Sequence, residues 1–264
     1  MVDNFRILHI SDLHYSTDYF RQMSVYSSLM NQMDNPLEQL GLILAKLNMD
    51  FNLVLLSGDI CECGTVEEYD FVKNYLSKLF NCPVLVTAGN HDNIENLVES
   101  FNLPMVDGEL FNTYCFDDLK VICLNSGHKD YNDGFISEKS CDLLEEALKD
   151  NNENTIIMTH HHLIKDQFTL PAAQYPERLK EIIRSHDVLA VVTGHTHHGF
   201  AGTFEGKKYF TTGSLSFVVD RDETGELLFY EEPSALIYNL KNNEISCQKV
   251  TLNLKKNIGY LPFK

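Results

Sequence analysis

Residues of the types that ligate divalent metals stand directly behind short apolar runs and almost nowhere inside them. The run 5–11 leads into Asp12-Leu13-His14, 52–57 into Gly58-Asp59, and 83–88 into Gly89-Asn90-His91-Asp92. Further along, 154–159 leads into His160 and 188–193 into Gly194-His195-Thr196-His197. Imidazoles and carboxylates in this mixture suit Mn, Fe, Zn or Co, and no thiolate accompanies them, which sets aside a structural zinc cage. Taken singly the segments are weak, because Gly and Asp are ordinary turn residues. Asp92 also reads as the cap of a helix beginning at Asn93. Three consecutive histidines, His160 to His162, are poorly explained by packing, since a buried imidazole needs a partner and a metal is a natural one. In an extended segment His195 and His197 point the same way and can ligate neighbouring ions, with Gly194 letting the backbone approach closely. Turn chemistry does not account for five such segments in one order.

These side chains converge only if the runs before them are neighbouring strands. Residues 5–11, 52–57, 83–88, 120–125, 154–159 and 188–193 are β-branched or Leu-rich and read as buried strands. Helical patterns at 37–47, 66–80, 137–148 and 173–185 lie between them, so the fold class is α/β. In open α/β sheets, ligands bind beyond the carboxyl ends of the strands, where these residues lie. After Gly194 the pattern changes to paired strands without helices. Gly206 marks one turn and Asn242-Asn243 another, between 235–240 and 245–252, so this part is expected to be antiparallel. With no repeat, low-complexity tract or linker, residues 1–264 read as one domain.

The order of the five segments resembles the signature of the calcineurin-like metallophosphoesterases over about residues 5–215. The resemblance implies a four-layer αββα sandwich of two mixed β-sheets flanked by helices. It implies one divalent ion held by Asp12, His14, Asp59 and His197 and a second held by Asp59, Asn90, His160 and His195, with Asp59 bridging. Ions so bridged stand roughly 3.5–4 Å apart; a water shared between them becomes the nucleophile, and they stabilise charge on the phosphoryl oxygens. His91 is implied as phosphate contact and general acid, with Asp92 orienting its ring or capping the next helix. Of the histidine run only His160 is assigned to metal. His161 is left between a substrate contact and a structural residue, His162 reads as solvent-side, and His128, His186 and His198 read as structural. Residues 121–148 resemble the class III cyclic-nucleotide phosphodiesterases, with Asn125 where Asp is usual and His-His-His-Leu in place of His-His-Pro-Pro. The implied activity is hydrolysis of a small phosphoester such as a 3′,5′-cyclic nucleotide. A phosphomonoesterase or protein phosphatase, a metal-dependent nuclease and a non-catalytic scaffold are the alternatives; a complete ligand set argues against the scaffold.

Composition narrows the partners. The 38 acidic against 21 basic side chains leave a net charge of −17, which repels polyanions unless cations are bound locally. No basic run exceeds two residues, so a broad nucleic-acid surface is not expected. The seven cysteines are odd in number and mostly lie in apolar runs, as buried free thiols do, and Cys61 with Cys63 lacks the second pair a metal site needs. No stretch approaches the roughly 18 apolar residues of a membrane span, and the start lacks a signal-peptide pattern, so a cytoplasmic protein is expected. Residues 15–33, with Tyr15, Tyr19, Phe20, Met23 and Tyr26, read as a lid over the site or as an additional packed helix. The apolar segment 258–263 packs on its own core or on a second subunit, which leaves a homodimer open.

Overall fold

The computed structural model describes residues 3–21, 26–116, 119–128, 131–149, 154–165, 167, 170–252 and 255–261. In chain order the strands are β1 (Asp3–Ile10), β2 (Leu53–Ser57), β3 (Val84–Thr87), β4 (Met105–Val106), β5 (Glu109–Phe116), β6 (Leu119–Leu124), β7 (Asn154–Met158), β8 (Val188–Thr193), β9 (Phe200–Phe204), β10 (Lys207–Thr211), β11 (Val218–Arg221), β12 (Leu227–Glu231), β13 (Ser234–Lys241), β14 (Glu244–Thr251) and β15 (Lys256–Leu261). The helices are α1 (Ser27–Met30), α2 (Pro36–Leu47), α3 (Val66–Leu79), α4 (Ile94–Phe101), α5 (Glu138–Leu148) and α6 (Glu177–Ser185).

Two mixed sheets form the centre, in the orders β14-β13-β1-β2-β3 and β4-β5-β6-β7-β8-β10-β9. Strands buried on both faces read as continuous apolar runs, and the period of two sends alternate side chains to opposite faces. Thus Ile7, Leu53 and Leu55 of one sheet meet Val121, Ile156 and Val192 of the other in a shared layer. Their neighbours Leu8, Val54 and Leu56 pack outward on Leu40 of α2 and Val72 of α3. On the far side Ile157 and Val191 pack on Leu144 of α5 and Leu179 of α6. The result is the expected four-layer αββα sandwich.

Three expectations change. Residues 173–176 are extended rather than helical, with Gln174 bridged to Phe135, because Pro176 disfavours helix in the residue before it. Pro176 therefore stands at the N-cap of α6. The part after Gly194 is not wholly antiparallel, since β10 runs parallel to β8. Its two hairpin turns do fall at Gly206 and at Asn242-Asn243, where both central residues take the left-handed φ that a type I′ turn requires. The third change is a small separate sheet, β11-β12-β15, which shares an apolar cluster with Leu29 and Met30 of α1. Ile258 of β15 is buried in that cluster and Leu261 packs against it, so these two side chains pack on their own chain, while Tyr260 is exposed. Met23 and Phe263 lie outside the described residues. Among those residues, no helix is long and apolar enough to cross a membrane.

Candidate metal centre

The carboxyl ends of β1, β2 and β3 in one sheet and of β7 and β8 in the other meet at a common edge. Backbone bonds tie the loops there: Asp12 N–H donates to Gly58 O at 3.1 Å, His14 N–H to Asp59 O at 2.9 Å, and Gly194 N–H to His160 O at 2.9 Å. Five of the seven expected ligands take a left-handed backbone: Asp12 (φ 55°), His14 (48°), Asp59 (48°), His195 (71°) and His197 (59°). Each costs on the order of 1–3 kcal/mol and persists only where its surroundings over-determine it, as at functional sites. His195 and His197 are thus not in an extended segment. The Thr196 N–H donates to Gly194 O at 2.9 Å, closing a tight turn that turns the two rings toward different groups. Close approach also explains two glycines. A Cβ on Gly89 would lie 2.1 Å from Asp59 Oδ1, and one on Gly194 would lie 2.0 Å from Ser11 Oγ.

The hydrogen bonds behind the ligands fix where their lone pairs point. His14 Nδ1 donates to Glu62 Oε2 at 2.9 Å, and His197 Nδ1 donates to Phe217 O at 2.6 Å. Neutral rings held in these tautomers carry no proton on Nε2, yet their Nε2 atoms face each other at 3.2 Å. Asp12 Oδ1 stands 3.3 Å from His197 Nε2. On the other side His160 Nδ1 donates to Ser57 O at 2.6 Å, which turns its Nε2 onto Asp59 Oδ2 at 3.2 Å. Asp59 Oδ2 is also 3.6 Å from His14 Nε2, so one carboxylate oxygen faces both groups. Asp12 Oδ1, Asn90 Oδ1, His160 Nε2 and His195 Nε2 are all buried without a hydrogen-bond partner. Opposed lone pairs and orphaned acceptors are costly in a buried site unless a cation lies between them. The donor set therefore fits divalent metal. Burial alone would raise the Asp59 pKa, but His160 and His91 hold it well below the usual carboxylate range.

His91 and Asp92 do not pair. Asp92 Oδ1 accepts from Ile60 N–H, Cys61 N–H and the Tyr69 hydroxyl, and its Oδ2 accepts from Gly89 N–H, all between 2.9 and 3.1 Å. It staples the loops after β2 and β3. The cap of α4 is Asn93, whose side chain accepts from Asn96 N–H. The carboxylate that orients His91 is Glu62, whose Oε1 accepts from His91 Nδ1 at 2.9 Å while its Oε2 serves His14. Burial works against the charge of both partners. The two imidazoles nevertheless hold Glu62 at about 2, and the Asp59 and Glu62 carboxylates push His91 up to about 10. Glu62 is not among the residues expected from the sequence, where it stands between Cys61 and Cys63. The available signal was a carboxylate three residues beyond Asp59 in the same loop. None of the seven cysteines is in a disulfide.

The remaining histidines divide differently from the expectation. His161 is fully buried, with Nδ1 on Ser126 Oγ at 2.8 Å and Nε2 on Asn132 O at 3.1 Å, so neither nitrogen is available to substrate. His162 is buried rather than solvent-side, because its loop folds back and Leu170 O meets its Nε2 at 3.2 Å. His186 and His198 bond backbone carbonyls, as structural residues do. Of residues 15–33, Tyr15 stacks on Phe71. Tyr26 and Met30 line a cleft that His14, Asp59 and His197 also line.

Fold and site together define a metallophosphoesterase. The chain belongs to the calcineurin-like phosphoesterases, a family of metal-dependent hydrolases whose model matches residues 5–199. It is similar to a probable cyclic nucleotide phosphodiesterase of Synechococcus sp., 31% identical over 56% of this chain and 59% of that protein. A similar share, 61%, is spanned of the 3′,5′-cyclic adenosine monophosphate phosphodiesterase CpdA of Haemophilus influenzae, at 28% identity over 62% of this chain. The chain thus spans less than two thirds of those relatives. A probable glycerophosphodiester phosphodiesterase of Arcobacter nitrofigilis is 26% identical and matches 97% of this chain and 96% of its own length. Among solved structures, a dimetal phosphatase from Danio rerio shares the fold at 14% identity, with a TM-score of 0.58 over 92% of this chain and 98% of that one. GAP50, the anchor in the inner membrane complex of Plasmodium, shares it at 14% identity, with a TM-score of 0.63 over 98% of this chain and 88% of that one.

Proposed function

We propose that this chain is a binuclear metal-dependent phosphodiesterase acting on a small nucleotide diester such as a 3′,5′-cyclic nucleotide. The observation that carries the reading is that the Nε2 atoms of His14 and His160 face one Asp59 oxygen, at 3.6 and 3.2 Å. In this reading Asp12, His14, Asp59 and His197 hold one cation and Asp59, Asn90, His160 and His195 the other, with Mn, Fe, Zn or Co suited to the donors. When bound, such a pair supplies the positive charge that holds phosphoryl oxygens and acidifies a water into a nucleophile. An overall charge of −17 makes that local positive charge necessary for an anionic substrate.

His91 serves as general acid for the leaving ester oxygen. Glu62 holds its Nδ1, leaving Nε2–H as the proton to be given, and stabilises the cationic ring until transfer. Asp92 supports the loop that carries His91. We further propose that the chain works as one domain in a reducing, cytoplasmic setting, which the lack of disulfides among its cysteines supports. Cyclic-nucleotide hydrolysis is supported by what several relatives are named to do. Hydrolysis of a glycerophosphodiester is a second reading, favoured by the near full-length match to the Arcobacter relative.

Metal-stripped protein given Mn²⁺, assayed on bis(p-nitrophenyl) phosphate and 3′,5′-cyclic AMP beside an Asp59→Asn variant, tests the proposal. Metal-dependent turnover lost in the variant is the expected result. Failure of both substrates with Mn, Fe, Zn and Co would remove the phosphodiesterase assignment.

A further inference from the structure

The centre opens on two flanks, one mixed and carboxylate-bearing, the other mainly apolar. One is a cavity of about 740 Å³ of mixed lining, with Asn90, Glu95 and Glu109 beside Met105, Leu110 and Phe135. The other is a narrower cleft of about 290 Å³ whose floor includes His14, Asp59 and His197 and whose walls include Tyr26, Met30, Val219 and Leu227. An aromatic chain runs along this second flank from floor to mouth. The Phe217 ring lies 4.5 Å from that of His197 and 5.2 Å from that of His14, Phe229 is 5.7 Å from Phe217, and Tyr26 is 5.6 Å from Phe229. Phe217 and Phe229 line the cleft with little of their surface exposed, whereas Tyr26, Val219 and Leu227 are partly exposed.

We propose that this cleft is a base-binding subsite, in which a nucleobase stacks on Tyr26 and packs on Val219 and Leu227 while its phosphate lies over the floor; this rests on the nucleotide reading above. A phosphate held by the ligand set must send its substituent out along one flank. A hydroxylated or charged substituent would lose hydration against the apolar wall, whereas a flat base has π-faces to place there and little charge to desolvate. The wider flank also carries apolar side chains, Met105, Leu110 and Phe135 among them, but there the carboxylates of Glu95 and Glu109 stand between them, whereas the wall of the cleft holds no carboxylate. Among the described residues, polar side chains in the cleft beyond the candidate ligands and His91 are Tyr26 itself, Thr196, whose hydroxyl already donates to His198 O, and Arg221 on an exposed strand end. Recognition by stacking without hydrogen-bond readout tolerates any base. Purine and pyrimidine nucleotides are therefore expected to bind within a few-fold of each other.

Calorimetric binding of 5′-AMP, 5′-UMP and ribose 5-phosphate to the metal-loaded protein separates base from phosphate. Wild type should prefer AMP over ribose 5-phosphate by about tenfold, within the range that base stacking on an aromatic side chain supplies. Tyr26→Ala and Leu227→Ala should weaken AMP by about fivefold or more and leave ribose 5-phosphate unchanged. Melting temperature and metal stoichiometry show that each variant is folded, and Val219→Ala is the milder change if either is not. Equal affinity for AMP and ribose 5-phosphate, or equal weakening of both by the variants, overturns the subsite. Base-dependent binding without hydrolysis of any diester would instead retain the subsite and remove the phosphodiesterase reading. Hydrolysis without base dependence would remove only the subsite.

Discussion

Replacing Glu62 with Gln keeps the size of the side chain and takes away one of its two acceptors. In the native protein each carboxylate oxygen accepts from a different ring at 2.9 Å, Oε1 from His91 Nδ1 and Oε2 from His14 Nδ1. A glutamine has one carbonyl and one NH₂, so it accepts from only one of them and turns a donor on the other. The slighted ring must move its proton to Nε2 or leave a buried N–H against a donor. If the ring is His14, the proton goes to the nitrogen that faces His197 across 3.2 Å, and metal affinity falls. If the ring is His91, its cation loses the carboxylate that supports it, and proton transfer to the leaving group slows. A hydrogen bond to a charged group contributes about 1.5–3 kcal/mol, which corresponds to roughly 10- to 150-fold in kcat/KM. Two substrates separate the cases. A p-nitrophenolate departs without a proton, whereas the alkoxide of a cyclic nucleotide needs one. Damage at His91 therefore falls mainly on cyclic AMP, and damage at His14 falls on both substrates and on metal titration. A Glu62→Gln enzyme with native kcat/KM on both substrates and native metal affinity would refute the role given to this carboxylate.

In metal-free protein the His91 ring should titrate at about 10 by NMR, and adding divalent metal should move that value down because the cations draw on the Asp59 charge that raises it; an unmoved value would separate His91 from the centre. Gly89→Ala should abolish tight metal binding in calorimetry while the far-UV spectrum stays native, since the new Cβ would fall 2.1 Å from Asp59 Oδ1. Chelation should lower Tm by about 5–10 °C relative to protein held at a hundredfold excess of metal over Kd; identical melting would mean that the facing imidazoles bind no ion. Glu68 accepts from Arg21, from Thr17 N–H and from Thr65 N–H, and although burial opposes its charge these partners hold it at about 2. Because that value is depressed from 4.5, its stabilisation is complete above pH 4.5 and is lost as pH falls toward 2. Glu68→Gln should cost about 1–2 kcal/mol at neutral pH, allowing for solvent around Arg21, and flatten the acid limb of the stability curve.

The sandwich and the metal-ligand types could be read from the chain because both are local. A strand buried on two faces must be an unbroken apolar run such as 53–57 or 188–193, and a group placed just past its end is placed at the edge of the sheet. Asp12, Asp59, Asn90, His160 and His195 each follow such a run within a few residues, so their convergence needed only the sheet. What tertiary structure decided are pairings between loops distant in sequence. Glu62 finds His14 and His91, 48 and 29 residues away, and no periodicity marks that meeting. Asp92 looked like a cap because capping is the local option for an aspartate before a helix; three loop N–H groups and Tyr69 outcompeted it. His161 and His162 looked available because a histidine's sequence does not show whether a later segment will cover it, as residues 132 and 170 do here. The apolar cleft depends most on the third dimension. Its walls come from 26–30 and 217–229, segments whose side chains are unremarkable in sequence and become one surface only when β11, β12 and β15 pack against α1 beside the loops of the candidate metal centre.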